Sequence, residues 1–267
     1  MRSWKKLHVG LCLVALGAGL LLGGPAAARG KRTLMVVAAS SLTEFMAEAE
    51  PIFEKAHPGV DITCSLASSS VCRVQIEQGA PADLFLSADR ENVDTLIASR
   101  LVKPSRSRVF AHNKLAIMVG RHAKTKIRSL GDLATPGLNL VLATPEAPIG
   151  KYTQQMLQKA DKSAKYGQQF RERVMANVVS LEPNVKATLA RVLLGDADAA
   201  IVYATDITPD VRRSGMMVEI PDDVNVIATY PIAIVERSRN KDIAQQFVDF
   251  AVSKEGQEVL RKWGFMP

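Results

Sequence analysis

Four short segments carry the residues of this sequence that are best suited to chemistry. Ser40–Ser41, Ser68–Ser70, Pro148–Gly150 and Pro183–Val185 each follow an apolar stretch and precede a helical pattern. The first turn of a helix presents backbone N–H groups that have no partner within the helix, together with a partial positive charge. Serine hydroxyls add further hydrogen-bond donors at the same place. Segments of this kind are suited to bind a small anion.

Helix capping is the simpler explanation for any one of these serines, because serine is a common capping residue. The three consecutive serines of Ser68–Ser70 are less usual after an apolar strand, and they could direct several donors at one anion. The residues alone leave the capping and the anion-binding interpretations open.

A serine in these segments could also act as a nucleophile, which requires a general base nearby. After the N-terminal 30 residues the only histidines are His57, His112 and His122, and none lies in a G-x-S-x-G or similar context. The sequence also lacks H-E-x-x-H, C-x-x-C, Walker A and G-x-G-x-x-G motifs. We therefore predict no catalytic residue, with a serine hydrolase as a distant alternative.

Short apolar runs alternate with helical patterns along the chain, which is typical of parallel α/β units. The predicted strands are Thr33–Ala38, Val60–Ser65, Ala82–Ser87, Asn113–Gly120, Leu138–Ala143, Val178–Ser180, Ala199–Tyr203, Val224–Ala228 and Pro231–Val235. The predicted helices are Leu42–Ala56, Ser70–Gln78, Arg90–Ser99, Gly150–Ala160, Val185–Leu194, Lys241–Val252 and Ser253–Trp263. In open α/β sheets ligands bind at the carboxyl ends of strands, which is where the four segments lie.

The composition is that of an ordinary folded protein. The 267 residues are 47% hydrophobic and 23% charged, which is enough for one large domain or for two lobes. The formal net charge of +7 is spread along the chain, whereas nucleic-acid binding requires a concentrated basic patch. We therefore expect no nucleic-acid partner.

Residues 1–28 have the layout of a secretory signal peptide. Lys5 and Lys6 lie in a basic start, Leu7–Leu22 is apolar, and Ala26–Ala28 fits the cleavage rule for small residues. The apolar run is shorter than the roughly 20 residues that a membrane-spanning helix needs. We predict cleavage after Ala28 and export to the periplasm.

Cysteine is too scarce for a disulfide scaffold, since the chain has only 3. Cys64 and Cys72 would remain after cleavage, in a compartment where a disulfide can form. Two reduced and buried thiols fit the sequence equally well.

The motifs of the chain resemble, in order, those of the periplasmic molybdate-binding proteins of ABC transporters. The matching stretches are Val37–Thr43, Ala67–Ser70, Gln75–Asp89, Ala200–Asp206, Tyr230–Val235 and Gly264–Phe265. The resemblance implies an α/β, two-lobed type II periplasmic binding protein fold with the ligand in the interlobe cleft. Chain crossings near His112 and Thr229 would then divide the protein into lobe one, residues 29–111 plus 230–267, and lobe two, residues 112–229.

The family binds a tetrahedral oxyanion through neutral hydrogen-bond donors only. Lobe one would supply hydroxyl and backbone N–H groups, and lobe two would supply two backbone N–H groups and a phenol. Carried over by motif, these donors are Ser41, Ser69, Ile149, Val185 and Tyr203. The loop before Ile149 is one residue shorter than a common family form, so Gly150 or Lys151 could be the donor there instead. Tyr203 is implied by the resemblance alone, because a tyrosine that ends an apolar strand otherwise indicates core packing.

The resemblance further implies that the protein captures molybdate, and also tungstate, in the periplasm and delivers it to an ABC permease. Molybdenum would be bound only as the oxyanion, through the same five residues, and we expect no cofactor. The protein would act as a monomer. A solute-binding protein of the same fold for sulfate or phosphate is the nearer alternative.

Overall fold

The computed structural model describes residues 31–267, and the signal peptide predicted for residues 1–28 lies outside them. The strands are β1 (Arg32–Ala39), β2 (Val60–Ala67), β3 (Leu84–Leu86), β4 (Val102–Gly120), β5 (Leu140–Ala143), β6 (Val178–Glu182), β7 (Ala199–Tyr203), β8 (Gly215–Glu219) and β9 (Ile227–Val235). The helices are α1 (Thr43–Ala56), α2 (Ser69–Glu77), α3 (Arg90–Ala98), α4 (Pro148–Asp161), α5 (Phe170–Met175), α6 (Val185–Leu193), α7 (Lys241–Val252) and α8 (Lys254–Lys262). Within this range no helix has both the length and the apolar character needed to cross a membrane.

The strands form one mixed sheet in the order β2-β1-β3-β9-β4-β7-β5-β6, with β8 also paired to β4. Strands β1, β2 and β3 are parallel to one another, and so are β5, β6 and β7, which confirms the α/β prediction. Between these parallel units, β4 and β9 run antiparallel to their neighbours at the centre of the sheet. Apolar periodicity identifies a strand but carries no information about its direction.

Strand β4 joins the two halves of the sheet. Its residues 102–114 pair with β9, and its residues 115–119 pair with β7. The predicted crossing residues His112 and Thr229 are partners in the β4–β9 ladder. The lobe boundaries drawn at these two residues stay a prediction.

The predicted strands differ from β4 in length and from β9 in number. Only Asn113–Gly120 was predicted for β4, because the exposed polar residues between Lys103 and Arg108 give no apolar alternation. Strand β9 is one element where two were predicted, and it continues through Pro231. The register of the β4–β9 ladder shifts beside that proline, which is a position where a strand tolerates a residue without an N–H group.

Four helices begin just beyond the carboxyl ends of parallel strands, and these helices position the candidate site. Helix α1 follows β1, α2 follows β2, α4 follows β5 and α6 follows β6. A short 3-10 turn, Ser40–Leu42, connects β1 to α1. All four helices pack against the sheet, so their N-terminal ends are held in fixed positions.

Cys64 and Cys72, the cysteines of the described residues, are both free thiols. The Cys72 side chain is buried and donates a hydrogen bond to the Ala38 carbonyl at 3.6 Å. Burial raises the pKa of Cys64 to about 12 and the pKa of Cys72 to about 11. The structure therefore favours the reduced alternative for this pair.

Candidate functional site

One small cavity lies where the four helix-opening segments meet. It is lined by all five predicted donors, Ser41, Ser69, Ile149, Val185 and Tyr203. Each of the five is no more than 2% exposed. The cavity volume is about 10 Å³, close to the smallest space that holds a water molecule. A cavity of this size has no room for an organic substrate.

Ser41 lies in the 3-10 turn before α1, and its hydroxyl is part of a hydrogen-bond chain. The Asn113 side-chain amide donates to the Tyr230 hydroxyl at 3.4 Å, and the Tyr230 and Ser41 hydroxyl oxygens are 2.9 Å apart. Because Tyr230 accepts from Asn113, its own proton is free to be donated to Ser41. The Ser41 proton is then available to a ligand in the cavity.

Ser69 is arranged in the same way at the first residue of α2. Its hydroxyl oxygen accepts the backbone N–H of Ala88 at 2.9 Å, which leaves its proton for the cavity. The neighbouring hydroxyls of Ser68 and Ser70 bond to each other at 2.9 Å. Of the three consecutive serines, Ser69 is the one whose acceptor role is fixed by a backbone N–H, whereas either of the other two hydroxyls could be the donor in their shared bond.

Helix capping explains one of the four segments. Asn184 caps α6, because its side-chain oxygen accepts the Ala187 N–H at 3.0 Å. The side chains of Ala39 and Ser68, at the corresponding positions before the Ser40–Leu42 turn and α2, make no capping bond. The capping alternative is therefore wrong for the serine segments.

On the other side of the cavity, the first turns of α4 and α6 present backbone N–H groups. Ile149 is the second residue of α4, after Pro148, and Val185 is the first residue of α6. The backbone N–H of Lys151 already bonds to the Ala147 carbonyl at 3.0 Å, so it is not free for a ligand. Ile149 lines the cavity, which favours it over Lys151 as the donor of this loop.

Tyr203 ends β7, and its hydroxyl is fully buried without a hydrogen-bond partner in the described part of the chain. Leaving a buried hydroxyl unpaired costs about 1–3 kcal/mol, so such a group points to a ligand that would accept its proton. The ring is held in place by an edge contact with Tyr230, with ring centroids 5.9 Å apart.

Every residue that lines the cavity is uncharged. The two lysines closest in sequence to the lining residues are paired elsewhere, since Lys151 pairs with Glu91 at 2.5 Å and Lys186 pairs with Glu44 at 2.7 Å. The cavity can therefore hold an anion only by neutral hydrogen bonds and by the partial positive charge of helix N-termini.

Sequence reasoning missed the residues that orient the donors. Asn113 begins a predicted strand and Tyr230 falls between two predicted strands, but nothing in their spacing indicated that they act on Ser41. Tyr230 belongs to one of the stretches that resemble the family, which is the one signal that could have drawn attention to it.

The buried tyrosines around the cavity should titrate only with unfolding. Burial raises the pKa of Tyr203 and of Tyr230 well above the ordinary 10.0. Unfolded tyrosines lose their protons near pH 10, so the unfolded state gains an advantage only above that value. We expect these groups to leave the free energy of unfolding unchanged below about pH 10 and to lower it as the pH rises further.

Absorbance of the phenolate form, followed together with circular dichroism during an alkaline titration, checks this expectation. The absorbance of the buried tyrosines should rise only as the folded signal disappears. Complete ionisation in a protein that is still folded would contradict the burial of these hydroxyls.

Comparisons with known proteins agree with this geometry. Residues 34–266 match the family model described as bacterial extracellular solute-binding protein. A protein named molybdate-binding protein ModA from Mycobacterium tuberculosis is 32% identical over 270 residues, covering 98% of each chain. The ModA protein of Escherichia coli is 30% identical over 272 residues, covering 99% of this chain and 98% of its own.

Two solved structures support the two-lobed binding-protein fold. The periplasmic molybdate-binding protein of Azotobacter vinelandii has a TM-score of 0.74 at 21% identity, covering 88% of this chain and 99% of its own. The sulfate-binding protein SubI of Mycobacterium tuberculosis has a TM-score of 0.77 at 19% identity, covering 88% and 86%. At these identities the likeness concerns the fold and leaves the ligand to be argued from the cavity.

Proposed function

The chain belongs to the family of bacterial extracellular solute-binding proteins, and from this premise we propose that it binds molybdate and supplies it to an ABC transporter. The observation that carries the proposal is the small cavity lined by uncharged donors, with the unpartnered hydroxyl of Tyr203 among them. The relatives named as molybdate-binding proteins, which match over nearly the whole chain, support the same ligand.

The proposed site residues are the five donors that the cavity brings together. Ser41, Ser69 and Tyr203 donate hydroxyl protons, and Ile149 and Val185 donate backbone N–H groups. A dianion held in this way needs neither a cofactor nor a resident metal, because molybdenum enters as part of the oxyanion. Tungstate has nearly the same size and the same charge, so we include it in the proposal.

Capture and delivery would follow from motion of the two halves of the sheet. The ligand enters an open cleft, and the halves close around it by bending where β4 and β9 cross between them. The closed form then docks on a membrane permease. We propose that the protein acts as an exported monomer after loss of the signal peptide, without catalysis.

The cavity chemistry disfavours hydrogenphosphate. That anion carries a proton, which needs an acceptor in the cavity. A cavity hydroxyl that accepts this proton can no longer donate its own to the same ligand oxygen, so hydrogenphosphate loses one of the proposed bonds. An unmet buried donor costs about 1–3 kcal/mol, which corresponds to roughly tenfold or more in affinity.

Sulfate is the stronger rival, because it has the same charge and no proton at neutral pH. It is smaller than molybdate, so the cavity size and the placement of the donors must discriminate between them. A serine hydrolase is disfavoured by the hydrogen bonds of the two serines. The hydroxyls of Ser41 and Ser69 bond to Tyr230 and to the Ala88 backbone rather than to a histidine.

Titration calorimetry of the purified protein, freed of anions, with molybdate, tungstate, sulfate and phosphate tests the proposal. We expect one-to-one binding of molybdate and tungstate with little heat from the other two. Preferential binding of sulfate or phosphate would keep the closing mechanism but overturn the ligand. Covalent labelling of Ser41 or Ser69 by a serine-directed probe would instead support the serine hydrolase as the function.

A further inference from the structure

Lys186 lies directly beside the cavity but contributes no atom to it. It follows the proposed donor Val185 in the first turn of α6, and its side chain points away from the cavity to two carboxylates. The ammonium is 2.7 Å from a Glu44 oxygen and 3.0 Å from an Asp206 oxygen. The lysine and the glutamate are about one-quarter exposed, whereas Asp206 is fully buried.

The two carboxylates belong to different halves of the sheet. Asp206 lies just after β7, on the same half as α6. Glu44 lies in the first turn of α1, which packs against β2 on the other half. The contact between Lys186 and Glu44 therefore spans the cleft, while the contact between Lys186 and Asp206 does not.

The three charges also connect the elements that carry three of the proposed donors. Glu44 is close in sequence to Ser41, Lys186 adjoins Val185, and Asp206 is in the turn that follows Tyr203. Helix α6 also contacts the 3-10 turn that contains Ser41. A movement of the two halves that separates α6 from α1 would therefore part Lys186 from Glu44 and Val185 from Ser41 together.

We propose that the Lys186–Glu44 ion pair is a latch that holds the cleft closed around the bound oxyanion. Lys186 is then a positioning residue, which acts on ligand release without touching the ligand. This inference rests on the proposed function, since a latch across the cleft has a role only if the cleft opens and closes around a ligand.

The unequal burial of the two carboxylates explains how such a latch can be reused. Burial alone would lower the pKa of Lys186, but Asp206 and Glu44 together raise it, so the lysine remains charged. An unpaired buried carboxylate is costly, so Asp206 keeps Lys186 in place in both states. Of the two Lys186 contacts, opening then breaks only the one with Glu44, which is partly exposed and can be solvated.

Glu44→Gln is the variant that removes the latch and leaves the Lys186–Asp206 pair intact. We expect it to speed molybdate release and weaken affinity by roughly fivefold to tenfold, between the effects of exposed and fully desolvated ion pairs. The order of preference among anions should be unchanged, because no donor in the cavity is altered. Isotope chase measures the release rate, and calorimetry measures the affinity.

Glu48→Gln is the matched control on the same helix. Glu48 pairs with Lys262 and accepts the Trp263 indole N–H, and both partners lie on the same half of the sheet as α1. The control should release molybdate at the wild-type rate. Equal release rates and affinities for Glu44→Gln and Glu48→Gln would overturn the latch.

The titration of the wild-type protein separates this inference from the proposed function. If the wild-type protein binds another oxyanion in place of molybdate, the same two variants are compared with that anion. If it binds none, the proposed function fails. The latch is then judged by the radius of gyration from X-ray scattering, which should increase in Glu44→Gln and not in Glu48→Gln. Equal radii in that case would overturn the latch as well.

Discussion

Tyr203→Phe is expected to weaken molybdate binding by about 10-fold to 100-fold, the scale of one hydrogen bond to a charged partner. The same change should leave the free energy of unfolding of the ligand-free protein unchanged or raise it. The reason is that the substitution removes a buried hydroxyl that has no protein partner in the described chain. Calorimetry gives the affinity, and denaturant unfolding gives the stability.

Tyr230→Phe is the control for this prediction. Tyr230 is an equally buried tyrosine beside the cavity, but its hydroxyl contacts Ser41 and Asn113. Its loss should lower the free energy of unfolding by about 1 kcal/mol, because two protein hydrogen bonds disappear. Wild-type affinity in Tyr203→Phe would show that the hydroxyl is not a ligand donor.

Gly150→Ala should have the largest effect on stability of the single changes considered, together with a loss of binding. A Cβ atom at residue 150 would lie 2.0 Å from the Thr144 carbonyl oxygen and 2.7 Å from the Ala143 carbonyl oxygen. Both are backbone atoms, so the loop or the start of α4 must move. We expect a loss of at least about 2 kcal/mol of unfolding free energy. Displacement of the Ile149 N–H should weaken binding by about tenfold or more.

Gly59→Ala provides the matched comparison. The turn before β2 has no atom within 4 Å of the added methyl group, and the backbone of Gly59 does not require a left-handed conformation. Its stability and affinity should stay close to wild type. A Gly150→Ala protein with wild-type stability would contradict the close approach of the 143–144 backbone to α4.

Local patterns in the sequence were sufficient to locate the four helix-opening segments. Each combines an apolar strand, a polar turn and an amphipathic helix, and all these signals lie within a few residues of one another. The same reasoning gave no account of Tyr203, because a tyrosine at the end of a strand looks like a core residue from the sequence alone. Its assignment required the resemblance to a family.

The groups that prepare the donors lie beyond sequence reasoning for a physical reason. The hydroxyl of Tyr230 reaches Ser41 across 189 positions, and Lys186 reaches Glu44 across 142. Contacts of this range exist only because the folded sheet brings distant segments of the chain together. A pattern that records only local alternation likewise carries no information about the antiparallel direction of the two central strands.

Crystallography of the protein with bound molybdate, using the anomalous scattering of molybdenum, tests the central claim most directly. We predict one anomalous peak in the small cavity, with oxyanion oxygens within hydrogen-bonding distance of the hydroxyls of Ser41, Ser69 and Tyr203 and of the backbone N–H groups of Ile149 and Val185. A peak elsewhere, or an oxyanion held by a lysine or arginine side chain, would contradict the claim that this protein binds its anion through neutral donors.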